Sequence, residues 1–332
     1  MTIPTAFYGR TELADLSART DYETWLLEAV YEITDQRIAV EDVDELIYPP
    51  SGRPPTQTIY GVGNFTIGDW RPRFLEAGAP IVLVTAFKLL DMLLEWVLIA
   101  NGHGSTYRFV QKIKLLKGSV QFPTLIASRP WLRERLVALY EKLEPLRGTI
   151  IHERHFKSSG GSLQVSASKG GAVGAPIKFT PTDLRNLALV LVSLLRYLEG
   201  KWTMDAFREK RVRHALDELA HLHTLSSLGQ LPPGFLNVRV YVSEGGQVRC
   251  DLDRVRRDVA AKRPNQDVMF DLRIVSINSD GSRATAYLIP WSQLQPPSAQ
   301  LKKSVVDLAR FEVPPPSDID LKALARELNS GS

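Results

Sequence analysis

One cysteine, Cys250, stands in 332 residues. No intrachain disulfide can form, and a zinc site built from several thiolates is excluded. That scarcity fits a reducing compartment, so a cytoplasmic location is expected. A surplus of either charge is also missing. Lys+Arg number 41 against 37 Asp+Glu, and the net charge of +4 is too small to identify a nucleic-acid partner from composition alone. The opening Met1-Thr2-Ile3-Pro4-Thr5 has neither the basic stretch nor the apolar core of a secretory signal. No long apolar run is uninterrupted. The longest, Ile81 to Ala100, is broken by Lys88, Asp91 and Glu95 at spacings that keep them near one helical face. It reads as a buried core helix rather than a bilayer span, and no membrane partner is expected.

What is present is ordinary for a globular chain: 44% hydrophobic and 23% charged residues. The length allows two or three domains. Residues 1–78 read as a mixed arm or subdomain, with helical periodicity from Tyr22 to Ile33 and a loop rich in proline and glycine from Pro49 to Gly63. Residues 79–225 read as a helical domain. Residues 226–332 read as a small α+β accessory domain with a terminal helix. The expected fold class is mainly α, a helical bundle with an N-terminal extension and this small C-terminal domain.

Within the helical segment, a helix from about Pro80 stops at Asn101-Gly102, and Tyr107 to Leu116 forms a second, short one. Ser128-Arg129-Pro130 supplies an N-cap and a first-turn proline for a helix through about Leu143. Pro145 predicts a kink or restart. That would set Arg147 near a helix N-terminus, where free amides and the dipole favour a phosphate. Lys157 to Thr180 reads as a long hairpin or loop with strand-like pieces at 163–165 and 177–179. Its Lys169–Gly174 stretch lacks the Gly-Lys-Ser/Thr ending of a phosphate loop.

Thr180-Pro181-Thr182-Asp183 predicts a capping box for a helix to Glu199, with Leu184, Leu187, Leu191, Leu194, Leu195 and Leu198 on one face. A basic amphipathic helix follows from Met204 to about Leu225. After Pro232-Pro233-Gly234 the pattern predicts two hairpins. Leu236–Val242 would pair with Gln247–Leu252 across Glu244-Gly245-Gly246, and Val268–Ile277 with Arg283–Ile289.

The chemistry points to Arg147 and His152. Arginine holds a phosphate as a permanently charged fork, and histidine exchanges a proton near neutral pH. Together they suit metal-independent cleavage of a phosphodiester. Five residues on an ideal helix are ~140° apart with a rise of ~7.5 Å, so a bend, a long arginine reach or a partner chain must unite them. A symmetric homodimer with a composite site does so most simply.

Asp91 and Glu95, four apart on an apolar helix, are candidates to orient either residue. Arg154, two turns after Arg147, is a second phosphate candidate, and Glu153 and His155 flank the pair. His152-Glu153-Arg154-His155 spaces its histidines three apart rather than the four a zinc-protease helix needs. His214, Glu218 and His221 have ligand-like spacing but read as a solvated face, as does the Arg208–His214 pair. No metal or cofactor is expected. Residues 129–157 carry seven Lys/Arg against four Asp/Glu, and residues 201–213 five against two. Such local basicity suits an RNA backbone. Trp131, Tyr140 and Phe156 are base-stacking candidates whose helical spacing equally suits the core.

The stretch Leu146-Arg147-Gly148-Thr149-Ile150-Ile151-His152-Glu153-Arg154, after a long apolar helix and an amphipathic one, resembles the HEPN superfamily (higher eukaryotes and prokaryotes nucleotide-binding domain) over residues 79–225. The resemblance implies a bundle of four or five helices and a metal-independent, usually dimeric endoribonuclease of toxin, anti-phage or RNA-processing systems. Arg147 would bind the scissile phosphate. His152 would act as general acid and base, leaving a 2',3'-cyclic phosphate and a 5'-hydroxyl. The implied partners are RNA, a second copy of the chain, and an antitoxin or defence-system protein. Gly148 stands where a polar residue is common in that family, and Arg154 where some members carry tyrosine. A non-catalytic module of the same kind, binding RNA, nucleotide or protein, is the alternative.

Overall fold

The computed structural model describes residues 10–34, 43–60, 70–104, 108–153, 155–169, 172–244, 248–294, 300–303 and 306–330. The chain opens with helices α1 (Arg10–Arg19) and α2 (Asp21–Thr34), then a hairpin of β1 (Val43–Tyr48) and β2 (Thr56–Tyr60). Four helices come next: α3 (Trp70–Ala100), α4 (Phe109–Lys117), the single turn α5 (Thr124–Ala127) and α6 (Pro130–Gly148). A π turn (Thr149–Glu153) leads into strands β3 (Phe156–Ser159), β4 (Ser162–Lys169) and β5 (Ala172–Phe179), and then helices α7 (Pro181–Leu198) and α8 (Ala206–Glu218). The remainder alternates: β6 (Pro233–Ser243), β7 (Val248–Asp251), α9 (Leu252–Lys262), β8 (Asp267–Ile277), β9 (Ala284–Ile289), β10 (Gln300–Lys303), β11 (Glu312–Val313) and α10 (Leu321–Ser330).

The expected mainly α class is overturned. Among the described residues helix accounts for 53% but strand for 23%, in a six-stranded mixed sheet and two smaller ones, so the fold is α+β. Much of the strand content lies where the sequence reads as loop or arm, and short strands without a full alternating period leave a faint trace in one chain.

Two compact units divide the molecule. Among the described residues, 10–34 and 70–230 form the first, and 43–60 and 231–330 the second. The opening segment 1–78 is therefore shared. Its helices α1 and α2 belong with unit one and its β-hairpin with unit two.

Unit one is organised around α3. This helix packs against α2, α4, α6, α7 and the short sheet. With neighbours on most sides, it buries apolar residues nearly all round, among them Leu83, Phe87, Leu90, Leu94 and Val97. Each such side chain contributes ~1.5–3 kcal/mol by leaving water. Its charged residues mark the places where polar partners approach: Lys88 reaches Glu23 on α2 at 2.5 Å, and Asp91 and Glu95 meet Lys112 on α4. The helix begins at Trp70, ten residues before the expected start, with Pro80 inside it. Asn101 ends it, donating from its side chain to the Val97 and Gln121 carbonyls at 2.8 Å each.

The predicted capping box is present at α7. Thr180 Oγ1 accepts from the Asp183 amide at 3.2 Å, and Asp183 accepts from the Thr180 amide at 2.7 Å. Five of the six leucines on its predicted face are buried, and Leu198 is half-buried against the same core. The glycine-rich stretch before α7 is a three-stranded antiparallel meander, β3-β4-β5. Gly160 and Gly161, at φ 58° and 73°, make the two-residue turn from β3 to β4 that side chains disfavour. Lys169 and Ala172 are register partners there, while Gly170 and Gly171 fall outside the described residues.

In unit two the sheet order is β11-β9-β8-β6-β1-β2. The hairpin of β8 and β9 is formed, Leu272 opposite Ile289 through Ile277 opposite Ala284. The expected hairpin of β6 with β7 is not. Strand β6 lies parallel to both β1 and β8, and β7 pairs antiparallel with β10. The proposed turn glycines Gly245 and Gly246 lie outside the described residues. Leu236, Val238, Phe270 and Ile274 join α9 residues Val255 and Val259 in one core. Val275, Ile277 and Ala286 pack with Ala325 of α10 in another. Between β1 and β6, Arg239 is clamped by Glu45 through Nε–Oε1 at 2.9 Å and Nη2–Oε2 at 2.5 Å.

Candidate functional site

Helix α6 continues past Pro145 without a restart and ends at Gly148, so Arg147 lies in its last turn and not at a helix start. The expectation of an amide-lined phosphate site at Arg147 is thereby corrected. Proline removes one hydrogen bond, but with only three residues of helix left the loss falls at an end that frays anyway. The Thr149 amide donates to the Pro145 and Leu146 carbonyls, and its hydroxyl donates to the Pro145 carbonyl at 3.2 Å. A cation at this end suits the helix dipole but gains no backbone help in holding an anion.

The chain then enters a π turn, in which each hydrogen bond reaches the fifth residue rather than the fourth. Five residues wholly within such a turn would span roughly one wide turn rather than the ~140° offset of an α-helix, but Arg147 precedes the turn by two residues. Arg147 leads into this turn and His152 sits within it.

The Arg147 guanidinium rests on two rings, 5.1 Å from the Phe109 centroid and 5.5 Å from that of Phe87. Each contact is worth ~0.5–2 kcal/mol and fixes the side chain without using its N–H donors. Among the described residues, no hydrogen bond or ion pair engages Arg147, and none joins it to His152, whose ring is exposed.

Beneath Arg147 lies a polar and aromatic knot. Phe87 stacks on Tyr140 at 5.4 Å, and Phe109 tilts against both. The Tyr140 hydroxyl donates to Asp91 at 2.5 Å, and the buried Lys112 ammonium donates to Asp91 at 2.8 Å and Glu95 at 2.9 Å. Burial and the bond to Asp91 push the Tyr140 phenol far above its ordinary value, so it remains a donor. Burial opposes the Lys112 charge, but the two carboxylates outweigh it and raise its pKa. Glu144 is raised by burial, with the Arg147 charge acting in the opposite sense and Asp91 reinforcing the rise.

Asp91 and Glu95 thus reach Lys112 and Tyr140 rather than Arg147 or His152 directly. Their contribution to Arg147 passes through the rings that Tyr140 and Lys112 brace. His155 is exposed, and its carbonyl accepts from the Ser166 amide at 3.3 Å. Glu153 closes the π turn, and Arg154 lies outside the described residues.

Other sequence candidates take structural places. Tyr140 is fully buried, Trp131 and Phe156 pack against the core, and Trp131 also carries Arg213 at 5.3 Å. His214 meets the Gln230 carbonyl at 3.0 Å, and His221 sits 3.6 Å from Asp183. Among the described residues, no group of three His, Cys, Asp or Glu side chains is arranged to hold a metal ion, and no helix is long and apolar enough to cross a membrane.

Two features escape a reading by motif. The rings that hold Arg147, Phe87 and Phe109, come from separate helices, and only their aromatic character within apolar stretches hints at them. The second is a cleft of about 530 Å³ between α2, α7 and α8, whose lining includes Glu28, Ser193, Tyr197, Trp202, Arg208 and Arg211. Its sequence trace is the tryptophan beside the basic stretch 201–213.

No family model, no curated protein and no solved structure matches this chain.

Proposed function

We propose that unit one is a metal-independent endoribonuclease in which Arg147 grips the scissile phosphate and His152 moves the proton. The observation that carries this is the state of Arg147. Its half-buried guanidinium is fixed on Phe87 and Phe109 while its donors stay uncommitted among the described residues, five residues before an exposed histidine that lies in the π turn. A structural arginine in such a place would ordinarily be paired.

In the proposed reaction, His152 takes the proton of a ribose 2'-hydroxyl as the 2'-oxygen attacks phosphorus. The 5'-oxygen leaves and takes a proton from the His152 imidazolium so formed, giving a 2',3'-cyclic phosphate and a 5'-hydroxyl and returning the histidine to its neutral form. Arg147 neutralises charge gathering on the non-bridging oxygens. The resemblance to HEPN nucleases supports the same roles, a homodimer in which both motifs face one cleft, and a setting in toxin or anti-phage defence with an antitoxin or defence partner.

The test is cleavage of single-stranded RNA in EDTA. Arg147→Ala lowers the rate by ~10²–10³ and His152→Ala by ~10²–10⁴, each with unchanged circular dichroism. Mixing the two inactive variants restores activity if Arg147 and His152 of one site come from different chains. RNA bound equally by all three proteins and cut by none would instead identify a binding module.

A further inference from the structure

The cleft between α2, α7 and α8 is built from chemistry that the proposed cleavage does not use. Trp202 is 42% exposed and meets Tyr197 edge-on at 6.1 Å, which leaves the indole accessible at the mouth. Arg208 spends only Nη1, donating to the Thr203 carbonyl at 3.1 Å and to Asp205 at 3.0 Å, so the rest of its fork is available. Arg211 lines the same wall. In the same lining, Glu28 accepts both Arg196 bonds on Oε1, at 2.6 and 3.0 Å, and among the described residues its Oε2 has no partner.

The other carboxylates nearby are committed. Glu199 is held by Ser17, Arg196 and Lys201, and Asp205 caps α8 while pairing with Arg208. A ring platform, the remaining donors of Arg208 and one open acceptor match base, phosphate and the N–H or hydroxyl of a base or ribose. A cleft of about 530 Å³ is within the usual range for a small-molecule site.

On α2, Trp25 and Tyr22 stand three and six residues before Glu28 and are 64% and 67% exposed. Over residues 21–30 of α2, on α7, α8 and the α7–α8 connection, the large apolar side chains that are exposed are Tyr22, Trp25 and Trp202. The cleft also has an aliphatic lining, Ala188, Leu189, Val192 and Val212, against which the edge of a base or ribose would rest. Isolated aromatic faces beside arginines suit successive bases, each of which offers a π surface.

We infer that this cleft and the α2 ridge form a track for single-stranded RNA, with one nucleotide seated between Trp202 and the two arginines and neighbouring bases stacked on Trp25 and Tyr22. The track extends the RNA-directed reading of unit one but does not depend on cleavage, and a binding assay separates the two.

The experiment measures binding of a fluorescent, 5'-phosphorylated single-stranded hexaribonucleotide and of the four nucleoside monophosphates to full-length His152→Ala protein, which leaves the RNA intact. Trp202→Ala is expected to weaken hexamer binding roughly 5- to 100-fold, and Trp25→Ala to weaken it less while leaving monophosphate affinity unchanged. Arg208→Ala with Arg211→Ala is expected to reduce the slope of log affinity against log salt by ~0.7 for each phosphate no longer neutralised. The exposure of both tryptophans keeps these truncations away from the core. The track is overturned if the hexamer does not bind, if Trp202→Ala and the double arginine variant bind it as the parent does, or if a monophosphate binds as tightly as the hexamer. Loss of cleavage in wild-type protein with hexamer binding retained overturns the proposed catalysis alone.

Discussion

Removing Glu45 exposes how unit two is held together. Its carboxylate is 1% exposed and faces the Arg239 guanidinium, 4% exposed, through two hydrogen bonds at 2.9 and 2.5 Å. Breaking one side of such a buried pair costs ~3–5 kcal/mol, because the remaining charge keeps its desolvation penalty and loses its partner. Arg239 retains Asp318 at 3.2 and 3.3 Å, but Asp318 is 38% exposed and compensates weakly.

Glu45→Ala is therefore expected at the low end, ~3 kcal/mol, a shift of about two decades in the folded ratio. Asp318→Asn should cost under ~1 kcal/mol. The double variant Glu45→Met with Arg239→Leu should recover most of the loss, since apolar residues of similar volume carry no charge to desolvate. Urea titration read by hydrogen exchange in β1, β6 and β8 reports this unit separately from the helical one. A loss below ~1 kcal/mol for Glu45→Ala, or a double variant no better than the single, would refute both the burial of the pair and the seating of β1 beside β6.

Two further outcomes concern titrating groups. Burial, and then the Arg135 charge, hold the His223 pKa below its ordinary 6.5. The unfolded chain thus binds a proton that the folded state refuses, and stability should fall as pH drops below ~6.5 through the folded pKa. His223→Gln should flatten that part of a stability profile measured by urea midpoints between pH 5 and 8. Burial and the neighbouring Asp251 charge push the Cys250 thiol up to about 12. It should resist a disulfide reagent at pH 8 until unit two unfolds. Rapid labelling of native protein would contradict that burial.

Local signals in the sequence were legible where the physics is local. The Thr180–Asp183 box, the Asn101 stop, the leucine face of α7 and the turn between β8 and β9 each depend on residues within a few positions of one another. The parallel pairing of β6 with β1 and β8 depends on partners far away, and its strand looks the same whether it folds back locally or not. The two internal prolines misled for another reason. Pro80 and Pro145 each cost a helix something, and tertiary packing of Leu83 and Phe87 in one case and Tyr140 and Leu143 in the other outweighs it. At the candidate site, the arginine and histidine were visible as a spacing. The rings under Arg147, the π turn that carries His152, and the capture of Asp91 and Glu95 by Lys112 required three helices to be brought together.

The hairpin β1–β2 belongs to a sheet whose central strand is made much later in the chain. Glu45 and Arg239 are 194 positions apart, so at ~5–20 residues per second the hairpin waits ~10–40 s on the ribosome before its neighbour emerges. During that interval β1 is an open edge, able to recruit any other strand. Helices α3 to α8 can mature meanwhile, since their partners arrive with them. The order of synthesis thus separates the moment at which the candidate site forms from the moment at which the molecule becomes safe from mispairing. Slower translation lengthens the gap between them.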